Sequence, residues 1–422
     1  MKKKLLLFVA ILSVMVFALS VTICGAELVD GIYYNLTNGD EPYATVTSDN
    51  RTGCELVDVV IPDTITVGDV TYRVTHISSS AFGSTSDSTT NNQFIKTLTI
   101  GANVQSVGPH AFRNLPYLES VAINNTQAKT PIEFTNAEFY GNKALVSVTC
   151  HKDAKISAYG GHCFSYCSIL ETVDYPSTLT YIGDSCFRDN KMLTSGDLSG
   201  TKVTTIAYWA YNGCSSLTSV KLPFCLETLG DNAYQATKIT SIIIPETLTS
   251  TTKDIFNSTP LVYAVIPANL DGVASTIFSS CKSLKVVFYT GSDAEYAKGK
   301  ISQISGFTAV DFANYDPSIE FSSYTTNTIF YNAKTCQICN GLIGEREFVF
   351  TSLAEVMKDQ ALCTNCLGGD ITEYPAVFTN LGFSKFEINN SVAQGFVICK
   401  DSLALYNERF PEAQVSEYGL LQ

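Results

Sequence analysis

The sequence predicts an α/β solenoid in which each turn of the chain contributes one short β-strand. A pattern of apolar residues that ends in phenylalanine or tyrosine recurs through the middle of the chain, and Glu171–Leu193 is a clear copy. From Phe112 onward, the aromatic residue of this pattern returns every 22 to 27 residues. Because one such copy cannot bury its own apolar face, neighbouring copies must stack and share a core.

The recurring aromatic residues mark the turns of the predicted solenoid. Equivalent residues of stacked turns lie above one another, so we expect these side chains to form one buried line. They are Phe82, Phe112, Phe139, Phe164, Phe187, Tyr211, Tyr234, Phe256 and Phe278.

A short strand precedes each of these aromatic residues. Successive side chains of a strand point to opposite faces, so two apolar residues separated by one position point inward together. The predicted inward pairs are Val59/Ile61, Leu98/Ile100, Val121/Ile123, Val148/Cys150, Val173/Tyr175, Val220/Leu222, Ile242/Ile244, Ala264/Ile266 and Val287/Tyr289, with Gly196/Leu198 as a degenerate member.

One copy of the repeat, Ser216–Tyr234, resembles the BspA-like bacterial leucine-rich repeat. The frame of that family is L-x-x-V-x-I-P-x-x-V-x-x-I-G-x-x-A-F, and this copy fills it with Leu217, Val220, Leu222, Pro223, Leu226, Leu229, Gly230, Ala233 and Tyr234. The resemblance implies a leucine-rich repeat solenoid over residues 59–312. It also implies a bacterial surface protein that adheres to host extracellular-matrix proteins or to other cells.

The N-terminus has the features of an export signal. Residues 1–26 begin with three lysines, continue as the apolar run Leu5–Ile23 and end in Cys-Gly-Ala. This order is typical of a cleaved signal peptide. The run has 19 residues, whereas signal peptides have apolar regions of about 7–15 residues. An uncleaved membrane anchor is therefore the alternative.

Residues 27–58 predict a β-hairpin that caps the N-terminal end of the solenoid. Two apolar segments, Gly31–Leu36 and Pro42–Ser48, flank a polar turn. An open solenoid end exposes the core and a strand edge, so a cap is expected there.

The outward residues of the strands form two columns along the predicted sheet. One reads Thr97, Ser120, Ser147, Thr172, Ser195, Ser219, Ser241, Tyr263, Val286, and the other reads Thr99, Ala122, Thr149, Asp174, Asp197, Lys221, Ile243, Val265, Phe288. At their C-terminal end both columns become apolar. We therefore expect one exposed patch of Ile243, Tyr263, Val265, Val286 and Phe288, which binds either an external ligand or the C-terminal domain. The charged positions Asp174, Asp197 and Lys221 are further candidate contact residues.

Residues 313–422 do not continue the repeat and predict a small α+β domain with two cysteine knuckles. Each knuckle has the spacing C-x₂-C, and a glycine follows the second cysteine two residues later. Two such turns supply four thiolates for a closed, structural zinc site. Two disulfides, which suit an exported protein, and four free thiols are the alternatives. The candidate ligands are Cys336, Cys339, Cys363 and Cys366.

The remaining repeat cysteines predict a different role. Cys163 and Cys186 directly precede the recurring aromatic residue. Three other cysteines lie three residues after it, which is the inward cysteine position of the family repeat. We expect all of them to be buried and unreactive core residues. The three that follow the aromatic residue are Cys167, Cys214 and Cys281.

Charge and motif content limit the class of function. The net charge is −13, which disfavours nucleic acid and anionic membranes as partners. The histidines are scattered among different repeats, and phosphate-binding and hydrolase motifs are missing from the sequence. An enzyme is therefore disfavoured.

Taken with the resemblance, the sequence predicts an exported, non-enzymatic, adhesin-like protein. Its sheet face would bind extracellular proteins or glycans, without membrane insertion beyond the signal segment. A largely uncharged, hydroxyl-lined face suits contacts made by area and hydrogen bonds. The alternative is a structural or assembly component of the bacterial cell envelope that uses the C-terminal cysteine domain to bind its partner. The sequence does not define the oligomeric state.

Overall fold

The computed structural model describes residues 26–50, 55–84, 94–223, 225–270, 276–292 and 308–311, with shorter segments between residues 314 and 393. The chain divides into two compact units, Met1–Asp174 and Tyr175–Gln422. The predicted signal segment, apart from Ala26, the two cysteine knuckles and most of residues 313–422 lie outside the described residues. Among the described residues, no helix is long and apolar enough to cross a membrane.

In the first unit, strands alternate with turns. The strands are β1 (Glu27–Val29), β2 (Ile32–Thr37), β3 (Tyr43–Val46), β4 (Asp58–Ile61), β5 (Thr64–Val67), β6 (Val70–Ile77), β7 (Thr97–Ile100), β8 (Ser106–Val107), β9 (Ser120–Ile123), β10 (Ile132–Asn136), β11 (Ser147–Cys150), β12 (Ile156–Gly161) and β13 (Thr172–Val173).

The first unit contains a parallel sheet built from one strand of each successive turn. Its order is β13-β11-β9-β7-β4, and we call it the face sheet. A second parallel pairing joins β10 to β12. The strands of the predicted N-terminal hairpin, β2 and β3, pair antiparallel, and β3 then pairs in parallel with β6. That the hairpin caps the solenoid stays a prediction.

The second unit has the same alternation of strands and turns. Its strands are β14 (Tyr181–Ile182), β15 (Ser195–Asp197), β16 (Thr205–Ile206), β17 (Ser219–Lys221), β18 (Thr228–Leu229), β19 (Ser241–Ile243), β20 (Tyr263–Ile266), β21 (Val286–Tyr289), β22 (Thr308–Asp311), β23 (Thr328–Tyr331), β24 (Lys334–Thr335), β25 (Leu342–Ile343), β26 (Phe386–Ile388) and β27 (Ser391–Ala393). Parallel sheets have the orders β14-β16-β18, β15-β17 and β19-β20-β21-β23-β22. The pairs β24-β25 and β26-β27 are antiparallel.

The architecture is a leucine-rich-repeat-like β-solenoid, which corrects the α/β label of the sequence analysis. In the described ranges 55–84, 94–223 and 225–270, turns and not α-helices connect the strands. The backbone around the recurring aromatic residue explains this difference. Around Phe187, for example, Ser185 has a φ angle of 53° and Asp189 one of 60°. A right-handed helix cannot contain such left-handed residues.

The recurring aromatic side chains form a buried stack in each unit, as the sequence predicts. In the first unit, neighbouring rings from Phe82 to Phe164 have centroid distances of 5.2–5.5 Å and lie within 14° of parallel. In the second unit, rings from Phe187 to Phe278 lie 5.0–5.8 Å apart and within 18°. The spacing is close to that of neighbouring strands, about 4.8 Å. Stacked turns therefore keep equivalent residues in register.

The predicted inward pairs are mostly buried, but Cys150, Tyr175, Val220 and Leu222 are only half-buried. On the paired strand, Gly196 is the direct neighbour of Val220. A Cβ atom at Gly196 would lie 3.7 Å from a methyl group of Val220. Because Gly196 has no side chain, Val220 is less shielded from solvent than a valine that lies beside another valine on the neighbouring strand.

Candidate binding surface

The face sheet presents a row of hydroxyl groups in register. Thr97 pairs with Ser120, Ser120 with Ser147, and Ser147 with Thr172. The first three are half-buried and Thr172 is exposed. The Thr97 hydroxyl donates a 2.7 Å hydrogen bond to the Asp58 carboxylate. The hydroxyl row predicted from the sequence therefore lies on one continuous side of the first unit's sheet.

Asp174 lies at the end of the first unit and is exposed. Its carboxylate accepts a 2.8 Å hydrogen bond from the backbone N–H of Cys150. This bond fixes the carboxylate at the end of β11, the strand next to the edge strand β13.

In the second unit, Asp197 and Lys221 face each other on β15 and β17. The Lys221 ammonium lies 2.8 Å from the Asp197 carboxylate. Burial acts to raise the pKa of Asp197, but hydrogen bonds from Lys221 and Ser199 outweigh it and hold the pKa below its usual value. The two predicted contact residues therefore largely neutralise each other, and Ser195 and Ser219 continue the hydroxyl pattern beside them.

The predicted apolar patch is largely a core in the described structure. Val265, Val286 and Phe288 are at most 1% exposed and form a cluster with Phe330 and Ala333. Ile243 and Tyr263 are half-buried and pack against the same cluster. The expectation of an exposed patch is thus wrong for the first three residues.

Residues 324–333, which follow the repeats, account for this burial. Strand β23 pairs with β21 and places Phe330 beside Phe288, with a ring centroid distance of 5.5 Å. The Tyr324 ring meets Phe330 edge to face at 6.0 Å. Because Tyr324 and Phe330 lie within residues 313–422, this contact matches the alternative in which the C-terminal region covers the patch.

The repeat cysteines are buried, as predicted, but they do more than fill space. Cys163, Cys167, Cys186 and Cys214 are 0% exposed, and Cys281 is 3% exposed. Thiols of three of them donate hydrogen bonds to backbone carbonyl oxygens across 3.0–3.2 Å. Burial raises the pKa of Cys167 to about 12, so its thiol stays protonated at neutral pH. Sequence reasoning missed these hydrogen bonds.

Two features of the sequence superficially resemble catalytic groups, namely His162 beside Cys163 and the triplet Gly183-Asp184-Ser185, and both have structural surroundings. The ring of His162 lies 3.2 Å from the Ser165 hydroxyl, whereas the neighbouring Cys163 is fully buried. Ser185 has a left-handed φ angle and is buried in a turn. Within the residues that the structure describes, no three His, Cys, Asp or Glu side chains are grouped to hold a metal ion.

On the turn side of each unit, arginines lie on aromatic rings, which the sequence pattern did not predict. In the first unit, the guanidinium carbon of Arg113 lies 4.2 Å from the centroid of the Tyr140 ring. In the second unit, Arg188 lies at the same distance over Trp209. Arg113 and Tyr140 directly follow Phe112 and Phe139, so their equivalent repeat positions were a usable signal.

Comparison with known proteins gives a consistent result. The chain is similar to solved bacterial leucine-rich repeat structures: a protein from Bacteroides ovatus (20% identity, 72% of this chain and 76% of that one, TM-score 0.38), a leucine-rich cell surface protein from Faecalibacterium prausnitzii (20%, 67% and 98%, 0.27) and the pneumococcal vaccine antigen PcpA (17%, 72% and 98%, 0.28). No curated protein matches the chain.

The family assignment follows from the repeats themselves. The sequence profile of the BspA type leucine-rich repeat region matches residues 75–201 and 190–295, with six copies. Together these ranges span more than half of the 422 residues, and they coincide with the turns whose aromatic residues stack in the two units. The chain belongs to the BspA type leucine-rich repeat family.

Proposed function

We propose that this chain is an exported, non-enzymatic, adhesin-like protein that binds extracellular proteins or glycans through its face sheet. Membership of the leucine-rich repeat family supports a binding role, because the repeat builds an extended surface rather than a deep reaction site. Placement at the cell surface is part of the proposal and is supported by the N-terminal sequence.

The hydroxyl row from Thr97 to Thr172 carries the proposal. Its members lie on adjacent parallel strands, about 4.8 Å apart, and share one side of the sheet. Hydroxyls both donate and accept hydrogen bonds, so the row offers a regular set of contacts without net charge. Such a surface is suited to a protein or glycan that lies along several turns.

Binding of the full chain to immobilised extracellular-matrix proteins and glycans tests this proposal. The variant Ser120→Arg/Ser147→Arg places two bulky charges in the row, while Thr130→Arg places one at an exposed position outside it. We expect the double variant to lose binding that the wild type shows and the control to keep it. Equal binding by all three proteins would contradict the use of this face.

The structural zinc site is a separate proposal that rests on the sequence. Cys336, Cys339, Cys363 and Cys366 would supply four thiolates, which is the closed set typical of structural zinc. Metal analysis of the purified protein, combined with a free-thiol count, tests it. One zinc per chain supports the site; metal-free protein with paired sulfurs supports the disulfide alternative.

A further inference from the structure

A cluster of cationic and aromatic side chains lies on the turn side of the first unit. Arg113 lies against the Tyr140 ring at 4.2 Å. The Tyr140 ring in turn meets Tyr166 at 5.3 Å and His162 at 6.3 Å, both nearly edge to face. We call these residues, together with His110, the Arg113 cluster. All five are half-buried.

Arg113 is charged but has no acidic partner in the described part of the chain. Its Nε atom lacks a hydrogen-bond partner, and no ion pair to its guanidinium is found among the described residues. A guanidinium is always protonated and carries five N–H donors in a planar fork. Stacking on Tyr140 holds that plane in place. The Nε atom is buried, so the two outer guanidinium nitrogens are the donors that remain for a ligand.

The second unit provides a contrast. Arg188 lies over the Trp209 ring at the same 4.2 Å, but its Nε is 3.5 Å from the Asp189 carboxylate. The two arginines thus share aromatic support and differ in whether a carboxylate is already present. Within the described part of the chain, this difference leaves Arg113 as the stacked arginine without a carboxylate partner.

We propose that the Arg113 cluster binds a glutamate or aspartate side chain in an acidic segment of a partner protein. The fork of Arg113 matches a carboxylate through two parallel hydrogen bonds. Arginine and tyrosine are also enriched among the residues that dominate protein–protein binding energy, which favours a protein over a glycan. This site lies outside the hydroxyl row, so it adds to the proposed function of the face sheet.

His110 contributes shape rather than charge at neutral pH. Burial and then the positive charge of Arg113 lower the pKa of His110 below its usual value. The imidazole is therefore neutral at pH 7, and its Nδ1 atom is buried without a hydrogen-bond partner. Arg113 is the permanently charged group of the cluster.

The experiment measures binding of a fluorescently labelled hexaglutamate peptide to the full chain by fluorescence anisotropy at low salt. We expect Arg113→Gln to weaken binding at least about tenfold, since a charge-assisted bidentate pair is lost. Arg113→Lys keeps the charge without the fork and should also weaken it. Arg188→Gln is the matched control, and we expect it to bind as the wild type does.

Three results would overturn the proposal. These are absence of hexaglutamate binding by the wild type, equal loss in the Arg113 and Arg188 variants, and tighter binding of polygalacturonate, which carries carboxylates on a glycan. Unchanged unfolding midpoints of the variants show that a loss reflects the site. Because the face-sheet variants are tested on other ligands, failure here leaves that proposal standing.

Discussion

The thiol of Cys214 donates a 3.0 Å hydrogen bond to the carbonyl oxygen of Phe187, the aromatic residue of the preceding turn. Cys281 does the same to Phe256 across 3.1 Å. In the first unit, the amide of Asn142 donates to the Phe112 carbonyl at 3.0 Å. Each donor is the third residue after its own aromatic residue. A single repeat position thus adds a side-chain donor to the carbonyl of the preceding aromatic residue. The Phe187 and Phe256 carbonyls also accept a backbone N–H, at 3.3 and 3.2 Å.

Replacing Cys214 with alanine should destabilise the second unit. The substitution removes the thiol donor from the Phe187 carbonyl, which keeps only the 3.3 Å bond from the Asn190 N–H. The loss of one hydrogen bond costs about 0.5–1.5 kcal/mol. Urea denaturation followed by circular dichroism measures the loss in free energy of unfolding. The neighbouring exposed Ser215→Ala is the control and should leave it unchanged. Similar midpoints for both variants would show that the Cys214 thiol contributes nothing measurable to stability.

The line of aromatic residues could be predicted because a fixed period alone determines which residues stack. The turns around them could not. Tyr166 and Trp209 have φ angles of 60° and 57°, although bulky residues rarely adopt this conformation. Their identities give no signal for a left-handed turn, and so the sequence suggested helices. The stacking of neighbouring turns, not local preference, fixes this backbone.

The candidate surface was predicted in part for a similar reason. Alternation along a strand places Ser120 and Ser147 on one face, and the structure agrees. The burial of Phe288 depends on Phe330, which lies 42 residues later in a segment without the repeat. No periodic signal connects the two. Contacts between distant, non-repeating segments are the part that the sequence pattern did not reveal.

Tyr234 carries a hydroxyl that the core does not use. The side chain is fully buried, and its oxygen has no hydrogen-bond partner. Tyr234→Phe removes this unsatisfied group and keeps the ring stack, so we expect stability to rise by about 1 kcal/mol. Thermal and urea unfolding measure the change.

Tyr211 offers a matched comparison for that prediction. Its hydroxyl lies 3.3 Å from the Tyr175 hydroxyl and donates to it. Tyr211→Phe therefore loses a hydrogen bond and should not stabilise the protein. If both variants gained stability equally, the partner of the hydroxyl would not be the deciding factor.

Cys150 should react slowly with alkylating reagents although it is only half-buried. Burial, and to a smaller degree the charge of Asp174, raise its pKa to about 12, against the opposing effect of the hydrogen bond with Tyr159. The reactive thiolate is then about a thousandfold scarcer at pH 8 than in a free cysteine. Iodoacetamide labelling resolved by peptide mass spectrometry should give a rate that still rises at pH 10. A plateau near pH 9 would contradict this environment, and Asp174→Asn should speed the reaction.

Glu138 is a buried carboxyl group in the position that most turns fill with a small apolar residue. Its Oε1 accepts hydrogen bonds from the backbone N–H groups of Thr135 and Asn136 at 2.7 and 2.9 Å. Its Oε2 is buried without a partner. Burial outweighs the hydrogen bonds and raises the pKa of Glu138 above its usual value.

The raised pKa makes Glu138 a source of pH-dependent instability. A group that binds its proton more tightly in the folded state stabilises the fold fully below its unfolded pKa. That contribution is lost as the pH rises through the folded pKa. Glu138→Gln keeps an acceptor oxygen but cannot ionise, so its stability relative to the wild type should increase between pH 4 and pH 8. Urea midpoints at both pH values measure this gap, and Glu133→Gln, an exposed neighbour, controls for the loss of one negative charge. A gap of the same size at both pH values would mean that Glu138 has the same pKa in the folded and unfolded states, which would contradict the raised pKa.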